Sequence, residues 1–291
     1  KNSDPYEIIL VAGKGHETYQ DLGKRKKFFS DKKIIRDFNS RKISEKKNNL
    51  KYNSTIVKKI LNNNKEYFFY GVSINSKKIK NQNLFIAIKG KNKDGHNFLN
   101  EAVKKGASYC IVSKNIKKKY KPIKVSNTMN FLKVLAQKKR NMSSAKFIAV
   151  TGSVGKTTVK TMLGDLLKRY SATYFSPQSY NNHYGVPLSL CNIEPKHNFG
   201  VFEVGMSNFK EIFKLSSMVK PEIGIITNIS EAHLENFKSI QDIAKAKSEI
   251  IYNIQKGGTI ILNQDDKFFN YFEKIARNNN IKTRSFGYSK K

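Results

Sequence analysis

The stretch Lys146-Phe-Ile-Ala-Val-Thr-Gly-Ser-Val-Gly-Lys-Thr-Thr158 limits what this chain can fold into more than any other part of it. Phe147 to Val150 is an apolar run of strand length. Thr151-Gly152-Ser153-Val154-Gly155-Lys156-Thr157-Thr158 follows, and Val159, Met162, Leu163, Leu166 and Leu167 then recur at helical spacing. Strand, glycine-rich turn and helix in that order build a phosphate cradle. Glycines let backbone N–H groups approach an anion, and the helix N-terminus favours negative charge. In such a cradle Lys156 reaches the β- and γ-phosphates, and the Thr157 hydroxyl can hold Mg²⁺. The strict phosphate-loop pattern asks for glycine where this chain has Val150. The competing reading is therefore a glycine turn that binds nothing.

Alternation of strands and helices continues on both sides of the loop. Phe199-Gly-Val-Phe-Glu-Val204, Ile223-Gly-Ile-Ile-Thr227 and Gly258-Thr-Ile-Ile-Leu262 are continuous apolar strands, as in a sheet covered on both faces. Upstream, Asn83 to Ile88 reads as a strand and Asp94-Gly95-His96 as a turn. Phe98 to Lys105 reads as a helix stopped by Gly106, and Ser108 to Val112 as the next strand. That βαβ unit favours parallel pairing. The fold class is α/β with mostly parallel sheets. Residues 1–40 hold a strand, Glu7 to Ala12, then Gly13-Lys-Gly-His-Glu17 and a helical stretch around Asp31 to Phe38. Such a piece is too small to bury a core alone. Residues 41–50 are polar with little pattern and read as a linker. The divisions are then 1–40, 41–50, 51–144 and 145–291, the last of them incomplete.

Charge is unevenly spread. Of the formal net charge of +33, residues 51–140 carry +19. That segment would attract a polyanionic ligand, or it is a solvated lysine-rich face. Lysine far outnumbers arginine, so nucleic-acid binding is only weakly suggested, and no aromatic-plus-basic stacking motif accompanies it. Cys110 and Cys191 each sit in an apolar run, which fits buried thiols in a reducing compartment. No apolar run is long enough to span a membrane and no signal peptide is evident, so the chain reads as soluble and cytoplasmic.

Further polar residues stand out against this pattern. Glu203 ends a buried strand, where open α/β sheets place ligand groups, and could hold Mg²⁺ or simply pair with a lysine. His233 follows the 223–227 strand and could converge on the same cleft as a metal ligand, although most lone histidines are structural. A helix is predicted from about Ser239 to Gln255, and Lys247 falls in the middle of its apolar stripe. An interior lysine is disfavoured as a cation, and its free amine can take up CO₂ as a carbamate; snorkelling is the alternative. Ser179-Tyr-Asn-Asn-His-Tyr-Gly-Val-Pro-Leu188 is a polar loop running into a Pro-started helix. In it, Asn181 and Asn182 either bind substrate or cap the helix. His183 and His197 read as ordinary surface histidines.

Together these segments resemble the Mur ligase family. The resemblance rests on Thr151 to Lys160, Asn181-Asn-His-Tyr-Gly-Val-Pro-Leu188, Glu203-Val-Gly-Met206, Asn228-Ile-Ser-Glu-Ala-His-Leu-Glu235, Ala246-Lys-Ser-Glu249 and Leu262-Asn-Gln-Asp-Asp266. The Gly-Ser-x-Gly-Lys-Thr-Thr-x-Lys and Asn-Asn-x-x-Gly-Val-Pro-Leu forms point to its MurF type. Leu84 to Gly90, Asp94-Gly-His-Asn-Phe98 and Ala102 to Ala107 are similar to that type's N-terminal substrate domain. The family's Asp-Ser-Arg stands here as Asn75-Ser76-Lys77. Residues 8–38 resemble instead the end of a MurE-type ligase, with Gly13 to Glu17 and Phe29-Ser-Asp31 as its signature. The resemblance implies a MurE–MurF fusion in which Gly13 and Glu17 contact an amino acid.

The resemblance also implies ATP-dependent ligation of D-Ala-D-Ala to UDP-N-acetylmuramoyl-tripeptide through an acyl phosphate, in peptidoglycan precursor synthesis. ATP would bind through Gly152, Ser153, Val154, Gly155, Lys156, Thr157 and Thr158. Mg²⁺ ions would bind through Thr157, Glu203, His233 and carbamylated Lys247, and Lys156, Glu203, His233 and Lys247 would be catalytic. Ser76, Asp94, His96, Asn181, Asn182 and Asn228 would contact substrate, with no nucleic-acid or membrane partner. Family members continue past the point matching Lys291, so this chain alone is expected to turn over negligibly. A MurE-type or folylpolyglutamate synthase-like ligase, and a basic nucleic-acid-binding phosphate-loop protein, are the alternatives.

Overall fold

A computed structural model describes residues 19–21, 26–28, 31–231 and 236–288. The chain forms two compact units, Lys1–Leu50 and Lys51–Lys291. In the first, β1 (Tyr19–Asp21) pairs antiparallel with β2 (Lys26–Phe28), Tyr19 opposite Phe28. Helix α1 spans Asp31–Leu61, so residues 41–50 are helical and not the expected irregular linker. The reason lies in composition. Residues 31–61 contain no Gly or Pro and hold eight Lys and two Arg, good helix formers, among five Ile. The polarity that suggests a linker is that of a solvent-facing helix, exposed from Ile43 through Asn48. The strand expected at Glu7–Ala12, with Gly13 and Glu17, lies outside the described residues.

The second unit holds two parallel sheets. The smaller has the order β3 (Val72–Ser73), β4 (Leu84–Ile86), β5 (Tyr109–Val112), β6 (Pro122–Lys124). The expected βαβ unit is β4, α2 (Leu99–Lys104) and β5, with Leu84 opposite Tyr109. A 3₁₀ turn, Gly95–Phe98, precedes α2. Helix α3 (Thr128–Met142) leads to the larger sheet. Its strands are β7 (Lys146–Thr151), β8 (Thr173–Phe175), β9 (Phe199–Glu203), β10 (Ile223–Ile226), β11 (Thr259–Asn263) and β12 (Lys282–Phe286). All pair in parallel, in the order β12-β11-β10-β7-β9-β8.

Helix α4 (Lys156–Lys168) packs on one face of this sheet, where Ile148, Val150, Val201 and Ile225 meet Val159, Leu163 and Leu167. The alternate residues Phe147, Ala149 and Phe202 turn to the other face. There they join the core built with α5 (Gly185–Cys191), α6 (Glu211–Val219), α7 (Ile240–Ser248) and α8 (Phe269–Asn278). Coverage on both faces is why these strands are apolar without alternation. The helix expected over 239–255 ends at Ser248 and continues as a 3₁₀ turn, Ile251–Asn253. Helix α5 starts at Gly185, two residues before Pro187. Cys110 and Cys191 are free and buried, as expected. Among the described residues no helix is long and apolar enough to cross a membrane.

The two sheets are tied through Asn192. Its Oδ1 accepts the Val72 N–H at 2.9 Å, and its Nδ2 donates to the Val72 carbonyl at 3.0 Å. Arg140 braces the larger sheet from α3. Its guanidinium lies 3.9 Å from the Phe147 ring centroid and donates to the carbonyls of Val219 and Lys220.

Candidate active site

Parallel packing brings the carboxyl ends of β9, β7 and β10 side by side, and the polar residues gather there. The β7–α4 loop turns at Gly152, whose φ is +146°; a Cβ there would meet Thr227 Oγ1 at 1.9 Å. Only glycine allows that approach. The loop is laced to the segment after β10. Ser153 N–H donates to the Asn228 carbonyl at 2.9 Å, Val154 N–H to Asn228 Oδ1 at 2.9 Å, and Thr227 Oγ1 to the Val154 carbonyl at 2.6 Å. Ser153 Oγ donates to the Ser230 carbonyl and accepts from Ser230 N–H, both at 3.0 Å. Asn228 therefore shapes the loop. No side chain caps α4, so its first amides face the loop.

Lys156 folds over this turn, donating to the carbonyls of Gly152 at 2.8 Å and Ser153 at 3.0 Å. Burial pulls its pKa down, and Glu203 opposes the shift. One residue on, Thr157 Oγ1 donates to Glu203 Oε2 at 2.7 Å. Glu203 is 1% exposed at the end of β9, and its Oε1 accepts from Asn181 Nδ2 at 2.7 Å. Asn181 comes this close because Gly205 lacks a Cβ, which would sit 2.9 Å from Asn181 Cγ. Thr158 points outward and is exposed.

Lys247 is buried at 2% exposure, as its place in the helical stripe predicts. Its Nζ donates to the Gly152 carbonyl at 2.9 Å, the same oxygen that Lys156 uses. Burial first, and Lys156 second, pull its pKa down to about 7. A cavity of about 290 Å³ lies beside these two amines, lined by Asn181, Met206, Glu211 and Lys214. His183, exposed, borders it as well.

Lys160 joins the same cluster and sequence reasoning missed it. It is 1% exposed, its Nζ lies 4.0 Å from Glu203 Oε2 and it donates to the Gln178 carbonyl. The signal was available, since Lys160 falls in the α4 stripe with Leu163 and Leu167 just as Lys247 does in its helix.

A larger cavity, of about 570 Å³, lies between the smaller sheet and the 179–188 segment. Ser76, Lys77, Gly95, Phe98, Tyr180 and Asn182 are among its walls. The Ser76 hydroxyl donates to Glu101 at 2.6 Å. Asp94 and His96, expected to touch substrate, hold the turn that carries Gly95. Asp94 Oδ1 accepts the His96 N–H at 3.0 Å and lies 2.6 Å from Nδ1, while Lys114 binds its other oxygen at 2.6 Å. The lysine contact, foremost, holds the Asp94 carboxyl far below the usual carboxylate range. His96 Nε2 accepts the Ser113 N–H at 3.0 Å, which puts the ring proton on Nδ1. Asn182 resolves toward capping, accepting the N–H groups of Tyr184 and Gly185 at 3.1 and 3.0 Å. His197 is no ordinary surface histidine. It is half-buried, its Nδ1 accepts the Glu194 N–H at 3.0 Å, and burial pushes its pKa down to about 4. His233 lies outside the described residues.

The Thr157 hydroxyl and Glu203 carboxylate are a hard oxygen pair beside a phosphate-type loop. That donor set fits Mg²⁺, which keeps most of its waters and takes one or two protein oxygens. Among the described residues no group of three or more His, Cys, Asp or Glu converges, which such a cation does not require.

Residues 150–291 match the Mur ligase middle domain, and residues 68–141 match the catalytic domain of the Mur ligase family. The UDP-N-acetylmuramoyl-tripeptide–D-alanyl-D-alanine ligase of Rickettsia prowazekii is 42% identical over 223 residues, 76% of this chain and 49% of that protein. The Escherichia coli ligase of the same name is 33% identical over 67% of this chain and 43% of its own length. The chain spans about half the length of the curated relatives it matches. Among solved structures, MurF from Acinetobacter baumannii superposes with a TM-score of 0.69 at 31% identity, over 80% of this chain and 53% of that one. MurF from Thermotoga maritima, in complex with ADP, gives 0.63 at 30% identity, over 75% and 50%. Two matching domains, a shared fold and the glycine loop that joins Lys156, Thr157 and Glu203 place this chain in the Mur ligase family, with relatives and structural neighbours of the MurF type.

Proposed function

We propose that this chain carries the nucleotide-phosphate and substrate-receiving parts of an ATP-dependent ligase joining D-Ala-D-Ala to UDP-N-acetylmuramoyl-tripeptide. One observation supports this most. Lys156, Thr157, Glu203 and Lys247 converge on a single glycine loop beside a cavity of about 290 Å³, and the segment 179–185 also walls the cavity of about 570 Å³ together with residues of the stretch carrying +19. The loop amides and Lys156 would hold the ATP phosphates; that a similar structure, MurF from Thermotoga maritima, is in complex with ADP supports nucleotide binding. The tripeptide carboxylate would take the γ-phosphoryl group, and the dipeptide amine would displace phosphate from that acyl phosphate. Phosphoryl transfer asks the protein for positioning and charge neutralisation more than for covalent chemistry. Mg²⁺, bound through Thr157 and Glu203, would supply charge neutralisation.

Lys247 is proposed to act as a carbamate. Its amine nitrogen would bond to the carbon of CO₂ and release one proton. The product is an anion, which would pair with the Lys156 cation where the neutral amine could not. His233 is proposed to bear on a second Mg²⁺ with that carbamate. Residues 8–38 are proposed as a MurE-type tail on the strength of Gly13-Lys-Gly-His-Glu17.

The test is calorimetric titration with UDP-N-acetylmuramoyl-tripeptide, using the dipeptide form and duplex DNA as controls. Preference for the tripeptide is expected. Failure to bind it, or binding of DNA alone, would refute the proposal.

A further inference from the structure

Lys160 is one of the largest fully buried side chains among the described residues, where its ammonium meets two acceptors, the Glu203 carboxylate and the Gln178 carbonyl. It leaves α4 three residues after Thr157, so the two side chains share a helix face. Both turn to the same oxygen, Glu203 Oε2, which lies 2.7 Å from Thr157 Oγ1 and 4.0 Å from Lys160 Nζ. Lys160 also donates to the Gln178 carbonyl. Gln178 has φ +49°, a conformation that non-glycine residues adopt only when their surroundings enforce it. Its side chain accepts from Lys78 of the smaller-sheet domain at 2.9 Å, and the chain runs on to Ser179 and Asn181. A dry lysine–carboxylate pair adds little stability over a well-packed apolar pair of the same volume. What it fixes is geometry.

We propose that Lys160 is a positioning residue that holds the Glu203 carboxylate against Thr157 and pins the 178–182 segment beneath it, so that the metal oxygens and Asn181 are set together. This rests on the reading of Thr157 and Glu203 as a metal-nucleotide site. Direct field effects oppose it, because removing a cation beside a carboxylate would by itself tighten Mg²⁺ binding. Weaker binding therefore separates positioning from field.

The experiment is calorimetric titration of the full chain with ADP, in Mg²⁺ and in EDTA, for the native chain and for Lys160→Met and Lys160→Arg, each checked for folding by circular dichroism. In Lys160→Met the gain in ADP affinity due to Mg²⁺ is expected to shrink about tenfold or more, as for other residues that orient a metal ligand. Metal-free ADP affinity is expected to stay within about twofold. Lys160→Arg, which keeps the charge and the donors, is expected to restore most of the gain. An unchanged or larger gain in folded Lys160→Met overturns the proposal while leaving the metal site standing. Should Lys160→Met not fold, Lys160→Gln takes its place, since it keeps a donor and loses the charge; the same loss supports the proposal and an unchanged gain overturns it. A native chain that binds ADP without any help from Mg²⁺ overturns the metal reading and this proposal together.

Discussion

Lys247 and Lys160 occupy the same kind of place, an apolar helix stripe with one amine in it. The stripe around Lys247 was legible because Ile240, Ile243, Ile250 and Ile254 mark it plainly. The stripe around Lys160 is masked, because a motif lysine and threonines dominate that helix start. Asp94 and His96 show what spacing does not carry. Their side chains hold the turn at Gly95 and tie it to Lys114 and Ser113. Side-chain partners across the fold decide such roles, and spacing along the chain does not contain them. The Lys247 environment makes a pH prediction. Its folded pKa is about 7 against an ordinary 10.5. Between those values the unfolded chain binds a proton that the folded one lacks, so stability rises with pH through that window and is lowest below it. Lys247→Met removes the slope. In CO₂-free urea denaturation the variant should gain most over the native chain at about pH 7 and below, and least near pH 10. A gap that does not change with pH would contradict this.

At the scale of elements, the strand–loop–helix at 146–168 and the buried strands at 199 and 223 were readable to within a residue or two. Long apolar runs flanked by glycine leave few alternatives. The error at 41–50 arose because an exposed helix has no apolar stripe to betray it, only the absence of breakers. Lys46, exposed in α1, tests the correction. Proline there removes a helical hydrogen bond and costs about 3 kcal/mol in a helix interior. Lys46→Pro should lower the far-ultraviolet helical signal, whereas a true irregular linker would leave it unchanged.

At the scale of the whole second unit, two parallel sheets meet where no sequence pattern announces it. Asn192 satisfies both backbone groups of Val72 across that junction, 120 residues away in sequence. Asn192→Ala leaves those groups unpaired, and about 1–3 kcal/mol of stability should be lost. The same variant should weaken ligand binding in the neighbouring cleft, as seen by denaturation and titration side by side. Full stability in the variant would mean that the two domains are held by other contacts. Charge also acts at this scale. The concentration of +19 in residues 51–140 would draw in a polyanionic ligand of the kind proposed.

Central to the proposed function is a glycine loop that acts as a nucleotide-phosphate site organised by Lys156. Calorimetric titration of Mg·ADP into the native chain and into Lys156→Ala tests that directly. The native chain should bind, and the variant should bind about tenfold more weakly or worse, the cost of losing one charge-assisted contact to phosphate. Equal affinity in the two proteins, or no binding by the native chain, would contradict it.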